Sequence, residues 1–497
     1  MKNQSILYTL VLLLVSGPGA TAAVEYEGYT NPAGDAFPIA IYDNVAISSP
    51  AGVQILSDAE QKAYFDTIRM AGFNVELWGK EDIWRKGPIN KWGPYLKSLG
   101  MNTIISTRGY SLTRSRIPYD ANTPDSILLQ PNWNGLRTVI SNYSQDPNVW
   151  GYWACDEPGM INLHKPVYEL NPYDVAVIPT FNRIHRFRGD KIAYANMAVS
   201  YDQSYIGNFA TDNPDNSDAE NYKNYLDHMV DALDLKFLTF DLYQVIHNEN
   251  SYGAGSGWVI KPFYYNSMDL YGRYCRDRKI PVWLVMLSVE HSNYYPDGKL
   301  EWEYPEISEG FLRMQAMNGL AFGMKGIVYW EYGAQNKMSG NTLYKSALYD
   351  INKMATTPAW AAARSVNNVV AQYGACLQNA TYDRSCIAVK DSVNRYDGFE
   401  ELSGSFHGIN LIDHSGYAVL LSHLTSDDRE YVAIVNQDHL KSQRITLALP
   451  QNLKYERVML HYTADPNSVS LIDKDLSKQE TFTLGPGAMI LFSRTNK

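Results

Sequence analysis

Along most of this chain, short apolar runs alternate with longer stretches in which apolar and polar residues mix. The runs lie at 37–42, 73–78, 102–107, 149–155, 192–198, 235–243, 281–287 and 326–330. A near-continuous apolar run predicts a strand buried on both faces, as in a parallel sheet. Between the runs, 59–71, 132–143, 175–188, 219–233, 264–277 and 307–320 carry apolar residues at helical spacing. The first of these sets Ala63, Tyr64, Ile68 and Met70 among charges. Strands alternating with helices make βαβ units. About eight such units over ~350 residues predict an α/β fold, a (β/α)8 TIM barrel with loop insertions. The competing arrangement is an open doubly wound sheet. That sheet calls for a G-x-G-x-x-G loop after an early strand, and none is present.

Beyond Leu377 the pattern changes to short strand-like runs at 417–424, 431–436, 444–449, 457–462 and 481–492. Turn residues such as Pro450-Gln451-Asn452 and Gly485-Pro486-Gly487 separate them. This predicts an all-β domain, a sandwich. Residues 342–379 read as helical and close the barrel. The expected organisation is a barrel over 23–379 and a sandwich over 380–497. No Pro/Ser linker separates the two, so they should pack together.

The first residues set the context. Lys2, the apolar run from Ile6 to Val15 and the small-residue triplet Ala20-Thr21-Ala22 have the layout of a signal peptide over 1–22. The run falls short of the ~20 residues that span a bilayer. No cysteine follows it to take a lipid. An uncleaved anchor is the alternative. Nothing later reads as a membrane span, so an exported chain is expected, secreted or periplasmic, without membrane insertion. The net charge of −10 argues against nucleic acid as a partner.

The four cysteines match no zinc spacing. Cys376 and Cys386 are near enough to close a short loop in an oxidising compartment. Cys155 and Cys275 are expected to be free. No H-E-x-x-H occurs, and His228, His247 and His291 lack helical pairing. No metal and no cofactor are expected.

The stretch Val149-Trp150-Gly151-Tyr152-Trp153-Ala154-Cys155-Asp156-Glu157-Pro158-Gly159 is a strand that stops in two carboxylates and a proline. Pro158 cannot donate a ladder hydrogen bond, so the strand ends there. Glu157 is then placed to protonate a leaving group. In a barrel, chemistry collects at the C-terminal ends of the strands. Those ends bring Glu76 and Trp78, then Arg108, then Asp156 and Glu157, then Asn196. Asp241 and Tyr243, Glu290 and His291, and Trp330 and Glu331 follow. Taken singly, each reads equally well as a salt-bridge or loop-end group. Together, carboxylates beside aromatic rings suit glycoside hydrolysis, where one carboxyl gives a proton and another attacks or activates water. Tyr outnumbers Phe by 37 to 15, which adds rings with polar handles, although most must fill the core.

Trp153-Ala154-Cys155-Asp156-Glu157-Pro158 resembles the fourth-strand motif of clan A glycoside hydrolases, where an Asn-Glu-Pro triplet carries the acid/base. Gly326-Ile327-Val328-Tyr329-Trp330 is similar to the clan's eighth strand, which ends in an active-site Trp. Asp241-Leu242-Tyr243 resembles the sixth-strand pattern of exported barrel hydrolases with an Asp-Glu-Pro motif. The resemblance covers the barrel. It implies a carbohydrate substrate, Glu157 as acid/base and Glu290 as nucleophile, with Glu331 as the rival nucleophile. It further implies Trp330 as the floor of a sugar subsite, and Tyr243 and Arg108 as partners that hold the nucleophile ionised, by a hydrogen bond and by charge. Trp78, Asn196 and Asp241 are expected to bind substrate from their places at the strand ends.

Asp156 departs from the clan, because an ionised Asp only accepts where an Asn would donate. Asp156 and Glu157 either point the same way and raise a pKa between them, or point apart as strand neighbours do. An adjacent Asp-Glu pair also suits substrate-assisted hexosaminidases, in which the Asp orients a 2-acetamido group and no seventh-strand Glu is needed. The expected function is therefore a retaining β-glycan hydrolase. A substrate-assisted N-acetylhexosaminidase and a non-catalytic carbohydrate-binding protein are the alternatives.

Overall fold

Eight parallel strands close into a barrel, each paired with its neighbours in sequence. They are β1 (Ile39–Asp43), β2 (Val75–Trp78), β3 (Asn102–Ser106), β4 (Val149–Asp156), β5 (Ile192–Met197), β6 (Leu238–Asp241), β7 (Val282–Leu287) and β8 (Gly326–Trp330). β8 closes the ring on β1, with Ile41 opposite Tyr329. The computed structural model describes residues 26–43, 57–78, 87–107, 130–159, 177–198, 218–247, 258–261, 263–334, 337–390, 399–416, 418–449, 455–460, 469–472 and 479–495. The signal-peptide expectation and Arg108 lie outside the described residues.

The helices are α1 (Asp58–Met70), α2 (Gly87–Ser98), α3 (Gln130–Tyr143), α4 (Val177–Phe187), α5 (Asp218–Leu233), α6 (Tyr264–Arg278), α7 (Glu309–Ala321) and α8 (Pro358–Leu377). α1 starts at a capping box, in which Ser57 and Glu60 each satisfy the other's backbone N–H. Ser308 caps α7 by accepting from Phe311 N at 3.2 Å. Pro358 opens α8, where its missing N–H costs nothing. Among the described residues, no helix is long and apolar enough to cross a membrane.

The barrel interior is a packed core. Ala40, Tyr42, Val75, Leu77, Ile104, Trp153, Ile192, Tyr194, Phe237, Trp283, Val285 and Val328 form one buried cluster, built from alternate positions of the strands. Trp283 fits because its neighbour is Gly326. A Cβ there would come within 2.5 Å of the indole. Below Trp283, Trp150 stacks at 6.2 Å and Phe237 packs edge-on at 4.7 Å. Tyr29 closes the lower mouth against Trp150 and Phe237.

The helical reading of 342–379 holds only from Pro358 onward. Thr342–Ser346 is a strand that pairs antiparallel with Glu290–Tyr294 and with Lys337–Ser339. Gly340, at φ +58, makes the intervening turn. The segment Thr342-Leu343-Tyr344 has strand-forming side chains, and pairing with the 290–303 hairpin satisfies its backbone.

From Thr381 the chain forms two antiparallel sheets. One has six strands, in the spatial order 381–389, 418–425, 429–436, 489–495, 456–460 and 469–472. The other has four, in the order 405–406, 409–414, 443–448 and 480–484. Their inner faces share a core that includes Cys386, Ile409, Val419, Val432, Ile445, Phe482 and Phe492. The single run read at 481–492 is two strands in different sheets, parted by a turn with Gly487 at φ +63.

The two regions pack tightly. α7 is buried over nearly its whole circumference, because β7 and β8 lie on one side and strands 418–436 on the other. A buried amide cluster crosses this seam. Gln437 Oε1 accepts from Tyr265 Oη at 2.8 Å and Asn318 Nδ2 at 3.0 Å, and Gln437 Nε2 donates to Asn318 Oδ1 at 2.8 Å. Gln244 joins through Gln437 at 3.2 Å and Asn318 at 3.2 Å. All four cysteines are free, so Cys376 and Cys386 are not bonded to each other.

Candidate active site

A cleft of about 540 Å³ opens at the C-terminal ends of the strands. Among the described residues, its carboxylates are Asp156, Glu157 and Asp241, and its aromatic walls include Tyr42, Trp153, Tyr194, Tyr243, Trp302, Tyr304 and Trp330.

The end of β4 is shaped for this position. The pairing of β4 with β5 shifts between Trp153 and Cys155, so β4 carries one extra residue there. Such a bulge re-aims the side chains that follow it. Trp153 and Asp156 both line the cleft, with Asp156 opposite Asn196. Glu157 then adopts a left-handed backbone, φ +43, and its N–H donates to Asn196 O at 2.8 Å. A non-glycine residue in that region is strained, and such strain gathers at functional sites. Here it turns Glu157 to the same cleft as Asp156, so the two neighbours converge. Pro158 follows, and its carbonyl accepts from Tyr225 Oη at 2.9 Å.

Asn196 organises the floor. Its Nδ2 donates to Asp156 Oδ1 at 3.1 Å and to Asp241 Oδ1 at 2.9 Å, while its Oδ1 accepts from Thr239 Oγ1 at 2.8 Å. Burial, and then the negative charge of Asp156, push Asp241 up to about 6, while Asn196 and Lys261 pull it down. Lys261 is itself buried and pushed down to about 8, with Asp241 opposing the shift. Its ammonium donates to Tyr304 Oη at 3.0 Å. Burial and the Asp241 charge raise the Tyr243 phenol, which stays protonated as a donor.

Trp330 and Tyr243 stack at 6.0 Å and 19°. His291 packs edge-on to Trp330 at 5.7 Å, and its Nδ1 lies 3.0 Å from Val289 O. Burial pushes His291 down to about 4, so the ring is neutral near pH 7.

Asp156, Glu157, Asn196, Asp241, Tyr243 and Trp330 thus come together as the sequence suggested. Three other expected residues lie elsewhere. Trp78 is fully buried on the helix-facing side of the barrel, against Phe65, and its indole N–H donates to Glu76. Val75 and Leu77 are the inward positions of β2, which turns Trp78 away from the cleft. Glu290 starts the hairpin strand Glu290–Tyr294, and its Oε1 pairs with Lys345 Nζ at 2.9 Å. It is not among the residues that line the cleft, whereas its neighbour His291 is. Glu331 is buried beyond the cis Trp330–Glu331 peptide and does not line the cleft either.

The residues missed in the sequence are Tyr42, Tyr194, Thr239, Trp302, Tyr304 and Lys261. The first three follow from strand phase, because each stands two positions from another inward residue. Trp302 and Tyr304 come from the inserted 290–303 hairpin and its exit, and Lys261 from a loop. No strand-end signal points to these three.

The fold and site define a (β/α)8 barrel with a C-terminal β-sandwich and a carboxylate-bearing aromatic cleft at the strand ends. No protein-family model matches the chain, and no curated protein matches it in sequence. Among solved structures, a β-galactosidase from Bacillus circulans sp. alkalophilus is similar to it. The TM-score is 0.51 at 8% identity, over 92% of this chain and 99% of that one. That likeness shows a shared fold. A GH30 endoxylanase from Clostridium papyrosolvens C71 matches at TM-score 0.42 and 10% identity, over 93% of this chain and 96% of that one. Xylanase 10B from Thermotoga maritima matches at 0.40 and 13%, over 67% and 95%.

Proposed function

We propose that this protein is an exported glycoside hydrolase that cleaves a β-linked glycan in the barrel cleft, with Glu157 as the general acid. The observation that carries this reading is the bulged, left-handed end of β4, which brings Asp156 and Glu157 together in an aromatic cleft. Stacked Trp330 and Tyr243 offer an apolar face for a sugar ring. The β-galactosidase named above has a similar fold, and this supports the substrate class. The run from Lys2 to Ala22 supports export. The barrel is read as 23–379 and the sandwich, as a brace, as 380–497.

The mechanism that the geometry favours is substrate-assisted. Among the described residues, the carboxylates lining the cleft are Asp156, Glu157 and Asp241, and two of them are tied to Asn196. Asp156 accepts the N–H of a 2-acetamido group, and Tyr243 donates to its carbonyl oxygen. That oxygen attacks the anomeric carbon as Glu157 gives its proton to the leaving oxygen. Glu157, now a carboxylate, takes a proton from the water that opens the cyclic intermediate. The second reading is a covalent glycosyl-enzyme on Glu290 or Glu331. It requires Glu290 to leave Lys345 and enter the cleft.

The test is hydrolysis of aryl glycosides with and without a 2-acetamido group. Glu157→Gln is expected to lose about 10²–10⁴-fold. Turnover confined to 2-acetamido substrates and lost in Asp156→Ala supports the assisted route. Turnover on plain β-glycosides, lost in Glu290→Gln or Glu331→Gln, selects the covalent route. Glycan binding without turnover on any substrate refutes the enzyme reading.

A further inference from the structure

The sandwich holds a cluster that the proposed chemistry does not use. Asp383, His407 and His423 come from three separate segments: strand 381–389, the turn between 405–406 and 409–414, and strand 418–425. One carboxylate oxygen and two ring nitrogens lie within 4.8 Å of one another. Asp383 Oδ2 is 2.8 Å from His423 Nδ1 and 3.9 Å from His407 Nε2. The two imidazoles stack at 3.5 Å and 15°, so one ring must tilt for both in-plane lone pairs to meet a single ion.

We propose that Asp383, His407 and His423 form a transition-metal site, best suited to Zn²⁺, that pins the 405–410 hairpin to the six-stranded sheet. Two neutral imidazoles and one carboxylate are borderline ligands that suit zinc, with water as the fourth. Tetrahedral zinc with bonds of about 2.0–2.2 Å sets its ligand atoms roughly 3.4 Å apart. The 2.8 and 3.9 Å separations bracket that value.

The surroundings support this arrangement. A metal-binding imidazole commonly donates its far N–H to a carboxylate, which fixes its tautomer and orientation. His423 Nε2 lies 3.4 Å from Glu430 Oε2 without a hydrogen bond between them, and a turn of the ring would form one. Glu430 is held in turn by Arg494 Nε at 2.7 Å. His407 sits in a left-handed backbone, φ +49, and its carbonyl accepts from Tyr455 Oη at 2.7 Å, which fixes the turn.

Arg384 is the group that competes with a metal. Its Nε lies 3.4 Å from His407 Nε2, so it donates to the lone pair a metal would take. The guanidinium is half exposed, 3.7 Å from Glu400 and over the Phe406 ring. It can swing outward without leaving a void, and its positive charge stands close to where the cation would be.

The experiment uses the full chain without a polyhistidine tag, stripped by chelator and dialysed, with Zn²⁺ titrated by calorimetry and Co²⁺ followed by its visible spectrum. One Zn²⁺ per chain, a tetrahedral Co²⁺ spectrum and a higher Tm with metal are expected. His407→Gly suits the left-handed backbone and preserves the fold. It should lose at least ~100-fold in affinity, and Glu430→Gln about 10–100-fold. Arg384→Ala should bind more tightly than wild type. Substoichiometric zinc in the wild type, or unchanged affinity in a His407→Gly protein whose circular dichroism matches wild type, overturns the proposal.

Discussion

Replacing Glu290 by Gln separates the two catalytic routes, and the structure sets the size of the effect. The Glu290–Lys345 pair is 2.9 Å long, with its side chains 21% and 31% exposed. At that exposure a salt bridge contributes about 0.5–1 kcal/mol. Lys345 also has Glu303 Oε2 at 3.8 Å, which softens the loss further. With unfolding entropy near 2.1 cal/mol/K per residue, a protein of this length loses about 1 °C of Tm or less. Because Glu290 does not line the cleft, kcat should stay within about threefold of wild type. Loss of a true nucleophile costs on the order of 10⁴–10⁶ in kcat. The assay is kcat and KM on an aryl 2-acetamido glycoside, with Tm from circular dichroism. A fall of 10⁴ or more at unchanged Tm refutes the substrate-assisted route and makes Glu290 the nucleophile.

Lys261→Met removes a positive charge that holds Asp241 down, so the acid limb of the kcat/KM profile should move upward from about 6; an unmoved limb means that another group titrates. Asp241 is raised from 3.8 to about 6 in the folded protein, so the stabilisation from its extra proton is full below 3.8 and is lost as pH rises through about 6. The shift of about two units bounds that term at about 3 kcal/mol, and Asp241→Asn should abolish this part of the pH dependence in urea unfolding at pH 4 and 7. Gly326→Ala places a Cβ 2.5 Å from the Trp283 indole and should cost about 1–3 kcal/mol by overpacking, read in the same denaturation assay; wild-type stability refutes the packing argument.

The barrel was legible because its strands are buried on both faces and therefore appear as bare apolar runs. The core of the site was legible for a related reason. Asp156 and Glu157 stand just past the end of one run and Trp330 at the end of another, while Asn196 and Asp241 are polar breaks near the ends of theirs. What strand ends do not encode is phase: Trp78 ends its run like Trp330, yet one faces α1 and the other the cleft. Glu290 falls outside the cleft because three residues past β7 the chain enters a second sheet, and the reach of that hairpin is set by pairing with 342–346 rather than by local sequence. The strands at 381–389 and 409–414 were missed because their polar residues, among them Asp383, Arg384, Asn410 and Asp413, interrupt the apolar pattern that marks a strand.

The amide cluster at the seam gives the sandwich a say in the cleft. Gln437 belongs to the all-β region, yet it grips Gln244, the residue after Tyr243. Gln244 O in turn receives the N–H of Lys261. The phenol and the ammonium beside Asp241 are therefore both suspended from one side chain that the barrel does not own. Random mutagenesis scored by turnover would then return hits well beyond residue 380, and a barrel grafted onto a different partner would arrive with its cleft detuned.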